Sequence, residues 1–166
     1  MLYLKIGGGL MIVCCGILAG CYGADKLKQR LNFYEQYIRF LTQASAVINY
    51  TAADVRTLFE GMHGLPMIEP VLRMTLLRME AGDDFSAAWK EAVRCFVRHK
   101  SDRCLLNYFG DTFGTENCSG ELAKLSLHRE SAVRQHADLL EDYKTKRKLY
   151  RILGLFSGTL MALLLL

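Results

Sequence analysis

From Ile6 to Ala24 the chain carries no charged residue, a run of 19 positions. At about 1.5 Å per residue such a run makes a helix of roughly 28 Å, against a hydrocarbon core of about 30 Å. It is long enough to span a membrane. A second apolar run closes the sequence: Ile152 to Leu166 is 15 residues, and beginning at Leu149 it reaches 18. That is about 27 Å of helix, provided Arg151 snorkels to the headgroups. A chain of 166 residues that is 51% hydrophobic and holds two prolines suits one helical domain with membrane segments better than a soluble multidomain enzyme.

The charges beside these runs predict their orientation. Lys26, Lys28 and Arg30 follow the first, and Lys144, Lys146, Arg147, Lys148 and Arg151 precede or open the second. Only Lys5 and the α-amino group lie on the other side. By the positive-inside rule the central region faces the cytoplasm. Each cation near an anionic leaflet contributes on the order of 1 kcal/mol, so the bias survives screening. Leu18-Ala19-Gly20-Cys21 resembles the lipobox of bacterial lipoproteins, which would place the rest of the chain outside the cell. A cleavable export signal, however, has its cations before the apolar run, and here they follow it. The spacing Gly16-x-x-x-Gly20, repeated as Gly154-x-x-x-Gly158, predicts membrane helices that pack closely, on each other or on partner helices.

Between the ends the pattern is helical throughout. Leu27, Leu31, Tyr34, Ile38, Leu41, Ser45 and Ile48 recur at steps of four and three, a heptad seam that continues the first span as one long helix. Thr51-Ala-Ala-Asp54 matches a capping box, and a short helix should follow it and end between Gly61 and Gly64. Pro66 and Pro70 suit a first helical turn, with Val71, Met74 and Leu77, joined by Leu72 and Met79, as the apolar face and Gly82 as the stop. Asp84 is a candidate N-cap for a helix whose core face holds Phe85, Trp89, Val93 and Phe96. Ser101 or Asp102 would cap another, bearing Leu105, Tyr108, Phe109 and Phe113. From about Ser119 a last long helix, with Leu122, Leu125, Val133, Leu140 and Tyr143 apolar, runs into the second span. The expected fold is all-α: an antiparallel bundle of about six helices over 25–148, between transmembrane helices at 1–24 and 149–166.

Chemistry is sparse in this pattern. Cys95-x-x-x-His99, with Cys104 nearby, lacks a third and fourth ligand at zinc-finger spacing. His128 and His136 have no carboxylate or cysteine at useful spacing, and His136 is expected to pack along the helix seam. Asp83-Asp84 reads as capping rather than a catalytic pair. Gly7-Gly8-Gly9 lacks the Lys-Ser/Thr of a phosphate loop. Gly110-x-x-x-Gly114 suggests close helix approach or a helix end. Six cysteines at irregular spacing do not form a secreted disulfide framework. A net charge of +4, with many of its cations beside apolar ends, favours lipid headgroups over nucleic acid. No cofactor, metal or catalytic residue is expected.

The order of these features resembles the stage III sporulation protein AB family of endospore-forming bacteria. The resemblance rests on the N-terminal apolar anchor running into a long helix, "INY" at 48–50, and Ala88-Trp89 after a Gly-Asp turn. It continues through "FGDTFGTEN" at 109–117, a long charged helix, and "YRILGLFSGTLMALLLL" at 150–166. At Cys118-Ser119-Gly120 the chain departs from a more polar family pattern. Such proteins look like the cytoplasmic domain of the type II secretion inner-membrane platform. The resemblance implies a non-enzymatic scaffold in the mother-cell membrane facing the forespore, with the bundle on the cytoplasmic side. Its implied partners are the membrane, other stage III sporulation channel proteins and, as an open alternative, a cytoplasmic ATPase, with no nucleic acid. A fragment of a general type II secretion or type IV pilus platform is the alternative reading.

Overall fold

The computed structural model describes residues 2–51, 55–114 and 118–165, with most side chains of the two apolar ends outside the described set. Among the described residues there are six helices and no strand. They are α1 (Leu2–Thr51), α2 (Val55–Glu60), α3 (Glu69–Glu80), α4 (Phe85–Phe96), α5 (Lys100–Thr112) and α6 (Cys118–Leu165). The all-helical class and the number of helices match the sequence pattern. Among the described residues no helix is long and apolar enough to cross a membrane. The segments expected to span, 1–24 and 149–166, lie at the start of α1 and the end of α6, largely outside the described side chains. The fold therefore lends the transmembrane assignment no support.

The chain divides into two compact units, Met1–Asn32 with His136–Leu166, and Phe33–Gln135. These boundaries lie further into the chain than the changes in composition at 24/25 and 148/149. A helix carries its backbone hydrogen bonds straight through a change from apolar to charged side chains, so composition alone does not end it.

The second unit is built around aromatic rings. Tyr34, Tyr37 and Phe40 of α1, Phe59 of α2, Trp89 of α4 and Phe109 of α5 are buried. Phe40 packs against Phe59 and Phe109 at centroid separations of 5.8 Å and against Trp89 at 6.2 Å. Trp89 and Phe109 lie 5.0 Å apart. Offset and edge-on arrangements of this kind add to the burial of the rings themselves. Gln36 Oε1 accepts from the Met67 backbone N–H at 2.7 Å, which holds the 65–68 turn to α1.

Helix boundaries follow local chemistry where it can be seen. Asp84 caps α4 through its Oδ2, which accepts from Ser86 N–H at 3.2 Å. Pro70 sits in the first turn of α3, where its missing N–H removes no intrahelical bond. The capping box at 51–54 falls mainly on residues outside the described set.

Expectations about faces are corrected in five helices. In α1 the buried stripe is wider than the heptad seam, adding Tyr37, Phe40 and Ala44 to Leu31, Tyr34, Leu41 and Ile48. In α3 the buried residues are Val71, Leu72 and Thr75, following Ile68. Steps of three and four hold this face steady, whereas Val71, Met74 and Leu77 drift around the helix, and Leu77 ends 58% exposed. Thr75 tolerates burial because its hydroxyl donates to the Val71 carbonyl at 2.8 Å. In α4, Phe96 is 50% exposed, because the helix ends there and the extended Val97, 6% exposed, turns into the core in its place. In α5, Tyr108 is exposed, while Leu106 and Asp102 are buried. Val133 and Leu140 of α6 also face outward; its buried positions are Glu121, Leu125, His128, Ala132 and Leu139.

Candidate functional site

The aromatic core expected on α4 is largely buried in the second unit. Trp89 and Val93 are fully buried and Phe85 is half-buried. The Trp89 indole Nε1–H donates to the Leu106 carbonyl at 2.7 Å, which satisfies its one polar atom. A Cβ added at Gly110 would lie 2.4 Å from Trp89 Cδ1, so α5 approaches the indole only because this position has no side chain. Gly114, at φ 81°, follows the end of the same helix in a left-handed conformation. "FGDTFG" thus encodes both a close approach and a helix stop.

Two of the buried polar groups, Asp102 and His128, join one helix to another. Asp102, 2% exposed, accepts from the Tyr34 hydroxyl at 2.8 Å. Asp102 was one candidate cap for α5, but the N-cap is His99, with no side-chain cap bond. Its carboxyl faces inward instead. His128, also buried, places Nε2 2.9 Å from Thr112 Oγ1, and its ring packs on Tyr108 at 5.0 Å. Burial pushes the His128 pKa down, because the charged ring would lose its hydration. His136 is half-buried on α6. The Tyr37 hydroxyl is buried with no hydrogen-bond partner, and burial pushes its pKa up. None of these groups converges with another on an open cleft.

Charged side chains on the surface pair locally. Lys90 and Ser86 both hold Asp111, and Lys90 in particular keeps its carboxyl below the usual range. The Arg94 guanidinium, 2.7 Å from Glu91, does the same there, and Arg78 stands 3.7 Å from Glu91 on its other nitrogen. Asp83 pairs with Arg78 at 3.1 Å rather than with its neighbour Asp84. Among the described residues no group of three or more His, Cys, Asp or Glu could hold a metal ion. Cys95 and Cys104 are exposed free thiols.

The remaining sequence candidates belong to the first unit. Lys28, Lys144 and Lys148 are exposed, and Lys146 pairs with Asp142 at 2.7 Å. Lys26 is exposed and Arg30 half-buried. Gly16, Gly20, Gly154, Gly158, Arg147 and Arg151 lie outside the residues whose side chains are described.

The sequence reading missed one surface. Pro66, Pro70, Met74, Leu77 and Phe96, with the charged Glu69 and Arg73, line a groove of about 440 Å³ beside α3 and the end of α4. The signal was present in the drifting apolar spacing of α3, which leaves Met74 and Leu77 off the core face.

No curated protein and no solved structure matches the chain. The family model described as stage III sporulation protein AB matches residues 5–166, from the N-terminal apolar run through the aromatic bundle to the closing apolar run. The chain belongs to the stage III sporulation protein AB family.

Proposed function

We propose that this stage III sporulation protein is a non-enzymatic membrane scaffold of the channel complex between mother cell and forespore. In this reading 1–24 and 149–166 are membrane helices, and the bundle stands on the mother-cell cytoplasmic side. The observation that carries it is the charge pattern: Lys26, Lys28 and Arg30 follow one apolar run, and Lys144, Lys146, Arg147, Lys148 and Arg151 precede or open the other. The second unit supports a scaffold in that buried Asp102 and His128 tie helix to helix, through Tyr34 and Thr112.

Assembly through the membrane is assigned to Gly16-x-x-x-Gly20 and Gly154-x-x-x-Gly158. Gly16→Leu combined with Gly154→Leu should leave the bundle folded while weakening co-purification of the other channel components from sporulating cells, because bulky side chains hold helix backbones apart. Spore counts should fall with it. A normal complex and normal spores from this double variant would reject the notches. A wild-type spore count after deletion of the whole gene would reject the scaffold and favour a general secretion or pilus platform.

A further inference from the structure

Two hollows flank the last turn of α4. One is the apolar groove that ends on Phe96. The other, about 540 Å³, is lined by Lys90, Glu91, Arg94, Lys100, Arg103 and Asn107, among others. Their charges are unequal. From Ala92 to Cys104 the chain carries Arg94, Arg98, Lys100 and Arg103 against a single acid, Asp102. That acid is 2% exposed and bonded to Tyr34, so the outward charge of the segment is wholly positive. Among the described residues Arg73, Arg98, Lys100 and Arg103 enter no ion pair, whereas Lys90 and Arg94 are already tied to Asp111 and Glu91. The Asn107 Oδ1 in the second hollow is buried with no hydrogen-bond partner.

We propose that the face formed by the ends of α3 and α4 and the start of α5 docks an acidic amphipathic helix of a partner protein. Its apolar side chains enter the groove at Leu77 and Phe96, and its carboxylates lie over Arg98, Lys100 and Arg103. Two observations select this occupant. The exposed apolar side chains, 58% for Leu77 and 50% for Phe96, line a concave groove, which receives projecting side chains as helix-in-groove sites do, whereas a bilayer surface needs a convex apolar wedge. Unpaired Arg73 lines the apolar groove itself and unpaired Lys100 and Arg103 line the second hollow, which gives electrostatic complementarity to a helix bearing carboxylates beside its apolar side chains. The inference deepens the scaffold reading, on which it rests, by naming where and what kind of partner it holds.

The test uses the full chain, expressed from its own promoter in sporulating cells, with a photoreactive phenylalanine analogue placed at Phe96 or at Leu77 and, as a control, at Ser126. Cross-linked peptides are identified by mass spectrometry. Probes at 77 and 96 should both join to one segment of one other protein, with carboxylates flanking apolar residues at spacings of three and four, and the probe at 126 should not. Arg98→Glu with Lys100→Glu should cut the yield by roughly tenfold or more, as expected for reversal of charges at the rim, while circular dichroism of the purified variant stays unchanged. Adducts to lipid, to a second copy of this chain, or to segments without net negative charge would overturn the proposal. So would absence of any protein adduct, or a yield indifferent to the charge reversal. If these results come with a gene deletion that still blocks spore formation, the docking face falls and the scaffold stands. A harmless deletion sinks the scaffold itself.

Discussion

Gly110 and Trp89 form a pair in which the smallest and largest side chains are interdependent. A Cβ at Gly110 meets the indole at 2.4 Å, so Gly110→Ala should destabilise by about 1–3 kcal/mol through overpacking. Trp89→Ala opens the opposite defect, a cavity costing about 3–5 kcal/mol. Urea unfolding of the full chain in neutral detergent, followed by far-ultraviolet circular dichroism, measures both; an unchanged midpoint for either variant contradicts the core described above. His128 makes a second prediction. Its folded pKa lies below the ordinary value of 6.5, so below that pH the unfolded chain binds the extra proton and the folded chain resists it. Stability is therefore complete above about pH 6.5 and falls as the pH drops toward the folded pKa, by at most about 1.4 kcal/mol per pH unit. His128→Gln should flatten this slope in the same unfolding assay run between about pH 5.5 and 7.5.

Among the helices, α3 shows how periodicity misleads when every third residue is apolar. Steps of three fall behind the 3.6-residue turn, so Met74 and Leu77 rotate off the face that Ile68, Val71, Leu72 and Thr75 present to the core. Leu72→Ala should therefore lower stability by about 2–5 kcal/mol, as for other buried leucines. Leu77→Ala should change it by no more than about 0.5 kcal/mol, as a surface substitution. Equal effects of the two, read from urea midpoints, would contradict the exposure of Leu77. Helix starts were more legible than faces: Asp84 caps α4 as its position suggested. Asp102 did not cap α5, because the Tyr34 hydroxyl, 68 residues earlier in the chain, takes its carboxyl inward. A partner that distant is invisible to local pattern.

For the whole molecule, the proposed topology places the second unit in the cytoplasm with an uncleaved N-terminal segment. Cys95 and Cys104 are exposed, so an impermeant thiol reagent can report on it directly. Labelling of both in intact cells should be negligible and should become strong once the membrane is broken. Equal labelling in intact cells, or mass spectrometry showing a mature chain that begins at a lipidated Cys21, would reverse the orientation and return the lipobox.

What the sequence by itself determined was the class and order of elements: apolar runs, heptad steps, Asp84 and the glycines specify helices and their ends through interactions within a few residues. The family was legible for the same reason, since it rests on an ordered set of local features that the match over residues 5–166 spans. Which residues face inward was decided only by tertiary structure. Phe96 and Val97 are neighbours with similar claims to burial, and the chain's turn into the core at Val97 exposes one and covers the other. Asp102 looks like a surface acid until Tyr34 buries it, and that burial leaves the cations from Arg94 to Arg103 without an exposed acid among them. Burial depends on which elements meet in space, and that is settled by long-range packing, which no spacing of residues along one helix contains.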